Sequence, residues 1–202
     1  MMECSIYIEN VRFPFFYFQF LHQLHDKLLI NTLIHARYEI TYTNGLSVIE
    51  NLIKENLIDL LSIMDHTPGQ GQFKTEDQIK DYYGDRFGVG DASIRNLIET
   101  RMNIREKHGS LNAQKVVDIA NKYNVPVASH DDDSAEKVES VKKSGVIISE
   151  FPVTMDAVKA AKKSGLYIAL GSPNILRGYS HNNNLTAIPY NSGISVNIAN
   201  TI

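Results

Sequence analysis

This sequence contains little cysteine and carries a small net charge, and each of these properties excludes classes of protein. The 202 residues include a single cysteine, Cys4, so an internal disulfide framework and a thiolate metal cluster are excluded. The formal net charge of −3 and the pI of about 6.2 give no general attraction to nucleic acid or to acidic membranes. We therefore expect a cytoplasmic protein that binds neither nucleic acid nor membrane, in which any site for a polyanion is built from individual residues.

A membrane span and a dinucleotide-binding fingerprint are also missing. Crossing a bilayer takes about 20 predominantly apolar residues, whereas the aromatic segment 11–20 is interrupted by Arg12, Pro14 and Gln19. No small-residue cleavage site follows before Lys27, so a buried or partner-covered segment is favoured over a targeting signal. No predicted strand is followed by G-x-G-x-x-G, the phosphate-binding turn of dinucleotide folds.

A repeat in the second half of the chain predicts a parallel α/β fold. Lys-Lys-Ser-Gly occurs at 142–145 and again at 162–165, each time after a predicted helix and before an apolar strand, with glycine where left-handed backbone is favoured. Strand, helix and strand in this order form the βαβ unit of a parallel sheet. An open doubly wound sheet and a (β/α)₈ barrel both fit, and the missing dinucleotide fingerprint favours the barrel.

Further helices are predicted before this repeat. They cover residues 46–55, 93–107 and 110–123, and Ser110 is the expected N-cap of the last one. Asp133 or Ser134 is expected to cap the helix that follows the next strand.

Polar side chains stand at the carboxyl ends of the predicted strands, where parallel α/β folds place their sites. In the strand that ends at Ile40, alternation sends His35, Arg37 and Glu39 to one face. The other strand ends carry Asp65-His66, His130-Asp131, Ser149-Glu150 and the segment 171–174. This edge of the sheet is the predicted site.

Histidine and carboxylate groups at neighbouring strand ends are ligands that divalent zinc, manganese or iron accepts. Glu39, His66 and His130 are the candidate ligands. Asp65 and Asp131 each neighbour a histidine but alternate to the opposite face in ideal strands. For these two residues, a hydrogen bond to a metal-ligating histidine and a role as a helix cap are therefore alternatives to a catalytic role.

The segment 171–184 is rich in groups that hydrogen-bond to anions. Arg177 offers a guanidinium fork for phosphate oxygens, and serine and asparagine side chains with backbone amides complete a cradle. A solvated connecting loop is the alternative interpretation.

Five short motifs stand in a fixed order along the chain. They are LIHARYE at 33–39, MDHTPGQ at 64–70, ASHDD at 128–132, SEFP at 149–152 and GSPNILRGYSH at 171–181. Together they resemble the PhnM family, a branch of the amidohydrolase superfamily in the carbon–phosphorus lyase pathway. Members of that family hydrolyse α-D-ribose 1-methylphosphonate 5-triphosphate and release diphosphate.

The resemblance implies a partial (β/α)₈ barrel of the amidohydrolase type, about strands three to seven, in residues 27–187, flanked by divergent segments at 1–26 and 188–202. It implies a divalent metal, zinc ahead of manganese or iron, and a phosphorylated sugar phosphonate as substrate. The implied residues are Glu39, His66 and His130 for the metal, Asp65 and Asp131 for catalysis, and Arg37, Arg177, Ser180, His181 and Asn184 for the substrate.

Two parts of the family's metal site are missing. No first-strand histidine motif precedes Leu28, and no aspartate follows Ala187, so we expect weak or absent turnover from this chain. Three alternatives stay open: a phosphate-ligand binding module without catalysis, a subunit that needs a second copy or another polypeptide to close its barrel, and an amidohydrolase that acts on a C–N bond.

Overall fold

One parallel sheet organises the protein. The computed structural model describes residues 2–8, 15–24, 27, 29, 32–80, 90–171, 185 and 197–199. Within these residues the sheet has seven strands: β1 (Met2–Ile8), β2 (Thr32–Glu39), β3 (Leu60–Met64), β4 (Val127–His130), β5 (Ile148–Glu150), β6 (Tyr167–Gly171) and β7 (Asn197–Ala199). Each strand pairs in parallel with the next one along the chain.

Helices connect the strands from β1 to β6, as the predicted βαβ units require. The helices are α1 (Phe15–Leu24), α2 (Gly45–Lys54), α3 (Asp91–Ile104), α4 (Ser110–Lys122), α5 (Ala135–Ser144) and α6 (Met155–Lys163). The prediction of a parallel α/β fold is confirmed. Among the described strands the order never reverses, as it would at the switch point of a doubly wound sheet. The sheet is therefore consistent with part of a (β/α)₈ barrel.

Strand β2 shows how the sheet separates its core from its site. Ile34, Ala36 and Tyr38 belong to the main hydrophobic cluster, together with residues of α1, α2 and α4. The alternate residues His35, Arg37 and Glu39 are also buried. Because successive side chains of a strand point to opposite faces, one face of β2 packs on helices while the other buries polar groups.

The N-terminal part of the chain is built into this arrangement. Strand β1 pairs with β2 from Met2 opposite Thr32 to Ile8 opposite Tyr38, and Phe18 of α1 is buried in the main cluster. No described helix is both long and apolar enough to cross a bilayer. The division of the chain at residues 26 and 187 stays a prediction.

The expected break between two helices at Ser110 is wrong. Helices α3 and α4 are continuous, joined by a π-helical turn at Arg105–Gly109, and the Ser110 side chain makes no capping hydrogen bond. Gly109 keeps helical backbone angles, so the chain does not leave the helix where a cap would be needed.

The expected cap at Ser134 is present, and the two serines make a matched pair. The Ser134 side chain accepts a hydrogen bond from the Lys137 backbone N–H. We expect Ser134→Ala to lower the free energy of unfolding by about 1 kcal/mol. Ser110→Ala should change it by a few tenths at most, towards greater stability, because alanine is the better helix former. Urea unfolding of both variants tests this, and equal losses would contradict it.

Candidate metal centre

Four consecutive strands deliver polar side chains to one buried edge of the sheet. Glu39 ends β2, His66 follows β3 by two residues, His130 ends β4 and Glu150 ends β5. The strands are parallel, so these ends lie together, and His130 and Glu150 are direct partners in the register. All four residues are buried, as the sequence pattern predicted for a site.

A three-residue cluster with metal-ligand chemistry lies at this edge. His66, His130 and Asp131 are buried, and one ligand atom from each lies within 4.8 Å of the other two. Both carboxylate oxygens of Asp131 are buried without a hydrogen-bond partner. A buried carboxylate in this state calls for a positive charge, and two imidazoles with one carboxylate are a common protein ligand set for zinc. The residues therefore fit a divalent ion.

Glu39, predicted as a ligand, lies against His66 and outside this three-residue cluster. Its Oε2 atom is 3.0 Å from His66 Nδ1 and accepts a hydrogen bond from the His66 backbone N–H at 3.2 Å. Thr41 donates its hydroxyl to the other carboxylate oxygen. On β4 and β5 the same relation recurs, because Glu150 Oε2 lies 2.9 Å from His130 Nδ1. Two carboxylate–histidine pairs thus flank Asp131.

Asp131 faces the site because its backbone is left-handed. Alternation placed it on the face opposite His130, and this expectation is wrong. Its φ is +52°, a conformation that aspartate adopts more readily than most residues, and this turn directly after the strand brings Asp131 and His130 into one cluster. The competing role as a helix cap does not hold either, since its carboxylate accepts no hydrogen bond.

The loop after β3 packs closely on Asp131. A Cβ atom placed on Gly71, whose φ is +50°, would lie 2.7 Å from Asp131 Cβ. Phe73 packs edge-on against His66, with ring centroids 5.5 Å apart. The loop can approach this closely because residue 71 has no side chain.

Arg37, predicted to face the substrate, is buried beside His130 and Glu150. Its Nη1 lies 3.3 Å from Glu150 Oε1, and its Nη2 lies 2.8 Å from His130 Nε2. Ser62 donates its hydroxyl to Glu150 Oε2 at 2.9 Å and also contacts His35 Nε2. Sequence reasoning noted Glu150 at a strand end but did not name it as a site residue, although an acid that ends a buried apolar strand was the available signal.

Burial and neighbouring charges determine the protonation states of His130 and Glu150. Burial alone would raise the pKa of Glu150, but Arg37 and the hydrogen bond from His130 outweigh it and hold this pKa well below its ordinary value. Burial lowers the pKa of His130, and Arg37 adds to the effect, against the opposing charges of Asp131 and Glu150. At neutral pH the site therefore presents a carboxylate and a neutral imidazole, the form in which histidine binds metals.

These two shifts predict how stability depends on pH when metal is removed by a chelator. The pKa of His130 lies below 6.5 in the fold and that of Glu150 lies below 4.5, so in both cases the unfolded chain binds more protons. Stability should fall as the pH drops below about 6.5 and fall further below about 4.5. Urea midpoints between pH 8 and pH 4 measure this. In Glu150→Gln the fall below pH 4.5 should be shallower, and an unchanged slope would contradict the assignment.

Asp65, the second predicted catalytic residue, forms an ion pair with Arg105 and hydrogen bonds with Thr67. Its Oδ2 lies 2.6 Å from Arg105 Nε, and its Oδ1 accepts hydrogen bonds from the backbone N–H and the hydroxyl of Thr67. Asp65 thus ties the loop after β3 to the π-helical turn. The four remaining predicted substrate residues lie outside the described part of the chain: Arg177, Ser180, His181 and Asn184.

Comparison with known proteins finds a relative with a known activity. No family model matches the chain. The chain is 31% identical over 154 residues to a curated protein of Escherichia coli (strain K12), the alpha-D-ribose 1-methylphosphonate 5-triphosphate diphosphatase. The match covers 76% of this chain and 41% of the relative. The chain thus spans less than half the length of the relative that it matches.

Proposed function

We propose that the chain is a partial member of the PhnM family, as its 31% identity to the Escherichia coli relative supports, and that it carries the metal centre of a hydrolase of phosphonate metabolism on a partial barrel of the amidohydrolase type. The observation that carries the proposal is Asp131, a buried carboxylate without a hydrogen-bond partner in one cluster with His66 and His130. In this proposal residues 27–187 form the barrel part and the protein works in the cytoplasm.

His66, His130 and Asp131 would hold a divalent ion, zinc ahead of manganese or iron. When bound, such an ion lowers the pKa of its bound water to about 7 and polarises a phosphoryl oxygen. Glu39 lies behind His66 and stabilises the orientation of its ring through Nδ1. The ligand set expected from the family was Glu39, His66 and His130. The proposal keeps the two histidines, adds Asp131 as a ligand, and makes Glu39 the hydrogen-bond partner of His66 instead of a ligand.

The proposed substrate is a sugar phosphonate that carries a triphosphate, as in the relative's name. The proposed reaction is hydrolysis of α-D-ribose 1-methylphosphonate 5-triphosphate to the 5-phosphate with release of diphosphate. Arg177, Ser180, His181 and Asn184 are the proposed substrate contacts, because they follow the family's motif and combine a guanidinium with hydroxyl, imidazole and amide groups. Arg37 is left out of this set, because its guanidinium is buried against Glu150 and His130.

Metal content and diphosphate release, measured on one preparation, test this proposal. Elemental analysis of the purified full chain should find divalent metal, and the ribose triphosphate substrate should release diphosphate at a low rate. Asp131→Asn should lose both. Asp65→Asn is the matched control, since Asp65 is anchored by Arg105 outside the cluster, and it should retain the metal. Folded protein that holds no metal would refute the metal centre, and metal without release would refute the hydrolase.

A binding module is the second candidate, favoured by the missing first-strand histidine and eighth-strand aspartate. It would bind a ribose triphosphate analogue in calorimetry without releasing diphosphate. A chain that needs a second copy or a complementing polypeptide would instead differ from a monomer in solution mass. Turnover of an amide substrate with indifference to phosphonates would identify an amidohydrolase that acts on a C–N bond.

A further inference from the structure

Glu150 is a buried carboxylate to which the proposed metal centre assigns no role. Its side chain is 3% exposed and receives groups from three other strands. Ser62 of β3 donates to its Oε2 at 2.9 Å, Arg37 of β2 lies 3.3 Å from its Oε1, and His130 of β4 places Nδ1 2.9 Å from Oε2. A residue at such a junction fixes the orientation of the side chains that meet it.

The neighbours of His130 determine which ring nitrogen carries the proton. A carboxylate can only accept hydrogen bonds, so the His130 nitrogen beside Glu150, Nδ1, must donate. Arg37 Nη2 lies near both ring nitrogens, 2.8 Å from Nε2 and 3.1 Å from Nδ1, so this donor does not distinguish between them. The carboxylate of Asp131 lies farther from Nε2, at 3.4 Å, than that of Glu150 lies from Nδ1, at 2.9 Å. The closer contact selects the neutral tautomer with the proton on Nδ1 and the lone pair on Nε2.

That lone pair is directed towards the cluster. His130 Nε2 lies 3.4 Å from Asp131 Oδ1, while Nδ1 is on the side of Glu150. The pair formed by Glu39 and His66 repeats the arrangement, since the carboxylate again lies at Nδ1, at 3.0 Å. A histidine that binds a metal through one nitrogen commonly donates its other N–H to a carboxylate, and both histidines of the cluster have such a carboxylate in place.

We propose that Glu150 is the positioning residue of the centre, which holds the His130 proton on Nδ1 and so presents the Nε2 lone pair beside Asp131. The inference rests on the proposed function in one respect, namely that the lone pair binds a metal ion. The tautomer is a property of the chain itself.

Imidazole nitrogen NMR on ¹⁵N-histidine-labelled full-length protein in chelator tests the tautomer directly. Wild-type His130 should show a protonated Nδ1 and an unprotonated Nε2. In Glu150→Gln, whose amide can donate as well as accept, this preference should be lost. Ser62→Ala is the control, because it removes a donor to Glu150 and leaves the His130 contact, so the tautomer should be unchanged.

Zinc affinity is the second measurement, made by competition with a chromophoric chelator and zinc alone. Glu150→Gln should weaken zinc binding about 10- to 100-fold, and Ser62→Ala should leave it within about threefold. If Glu150→Gln fails to fold, the wild-type spectrum still decides the tautomer. A wild-type His130 protonated on Nε2 overturns the inference, and so does a folded Glu150→Gln with unchanged tautomer and zinc affinity. The expected tautomer and affinities without diphosphate release would refute the hydrolase and leave this inference standing.

Discussion

Replacing Arg37 with methionine is expected to lower the free energy of unfolding by about 3–5 kcal/mol, the usual loss when one partner of a buried ion pair is removed. Arg37 is 2% exposed and its partner Glu150 is 3% exposed, so the carboxylate left behind is buried without its neutralising charge. Methionine preserves much of the aliphatic length, so the loss reports charge more than packing. Urea unfolding in the presence of a chelator measures it.

Two controls separate this effect from a general sensitivity to substitution. The double variant Arg37→Met, Glu150→Gln should recover a large part of the stability, because residue 150 is then neutral and no longer lacks its opposite charge. Lys54→Met breaks the exposed pair with Glu50, whose side chains are 45% and 42% exposed, and should lower the free energy of unfolding far less than Arg37→Met. If Arg37→Met lost no more stability than Lys54→Met, the stability of the fold would not depend on the charge of the buried pair.

Gly71→Ala is expected to weaken zinc binding at least about tenfold. Its added methyl group would lie 2.7 Å from Asp131 Cβ, so Asp131 must move. A binding constellation tolerates displacements of only about 0.5 Å. Left-handed backbone at residue 71 adds a stability loss of about 1–2 kcal/mol. Zinc competition and urea unfolding on the same preparation give both quantities.

Gly69→Ala provides the matched control for this prediction. Gly69 also has left-handed backbone, with φ of +83°, but a Cβ there would meet no atom within 4 Å. It should show the same kind of stability loss with zinc affinity unchanged. Equal affinity losses in the two variants would mean that loop strain in general, and not the contact with Asp131, disturbs the centre.

Much of the sheet could be predicted because local rules act on it without competition. The period of two in β2 predicted that His35, Arg37 and Glu39 share a face, and all three are buried. The repeated Lys-Lys-Ser-Gly marked two helix ends, and Gly145 and Gly165 both have positive φ. In each case one short-range preference of the backbone decided the outcome.

The failures occur where a tertiary contact overrides the local rule. Alternation fails at Asp131, which has left-handed backbone and packs against Gly71 of another loop. The cap expected at Ser110 fails because the helix continues through a π-helical turn whose Arg105 binds Asp65, 40 residues away. The role of Glu150 depends on groups from three other strands, and no window of sequence contains them together.

Strand order that follows chain order gives the sheet a modular construction. Among the described strands, each borders the strand before it and the strand after it in the chain. A contiguous stretch of such a sheet therefore keeps its neighbours everywhere except at its two ends. The residues Glu39, His66, His130 and Glu150 of the proposed centre come from or closely follow β2 to β5, four strands in succession, and any piece that keeps those four strands keeps them together. A sheet with this strand order can therefore gain or lose a strand–helix unit at either edge without separating these four residues.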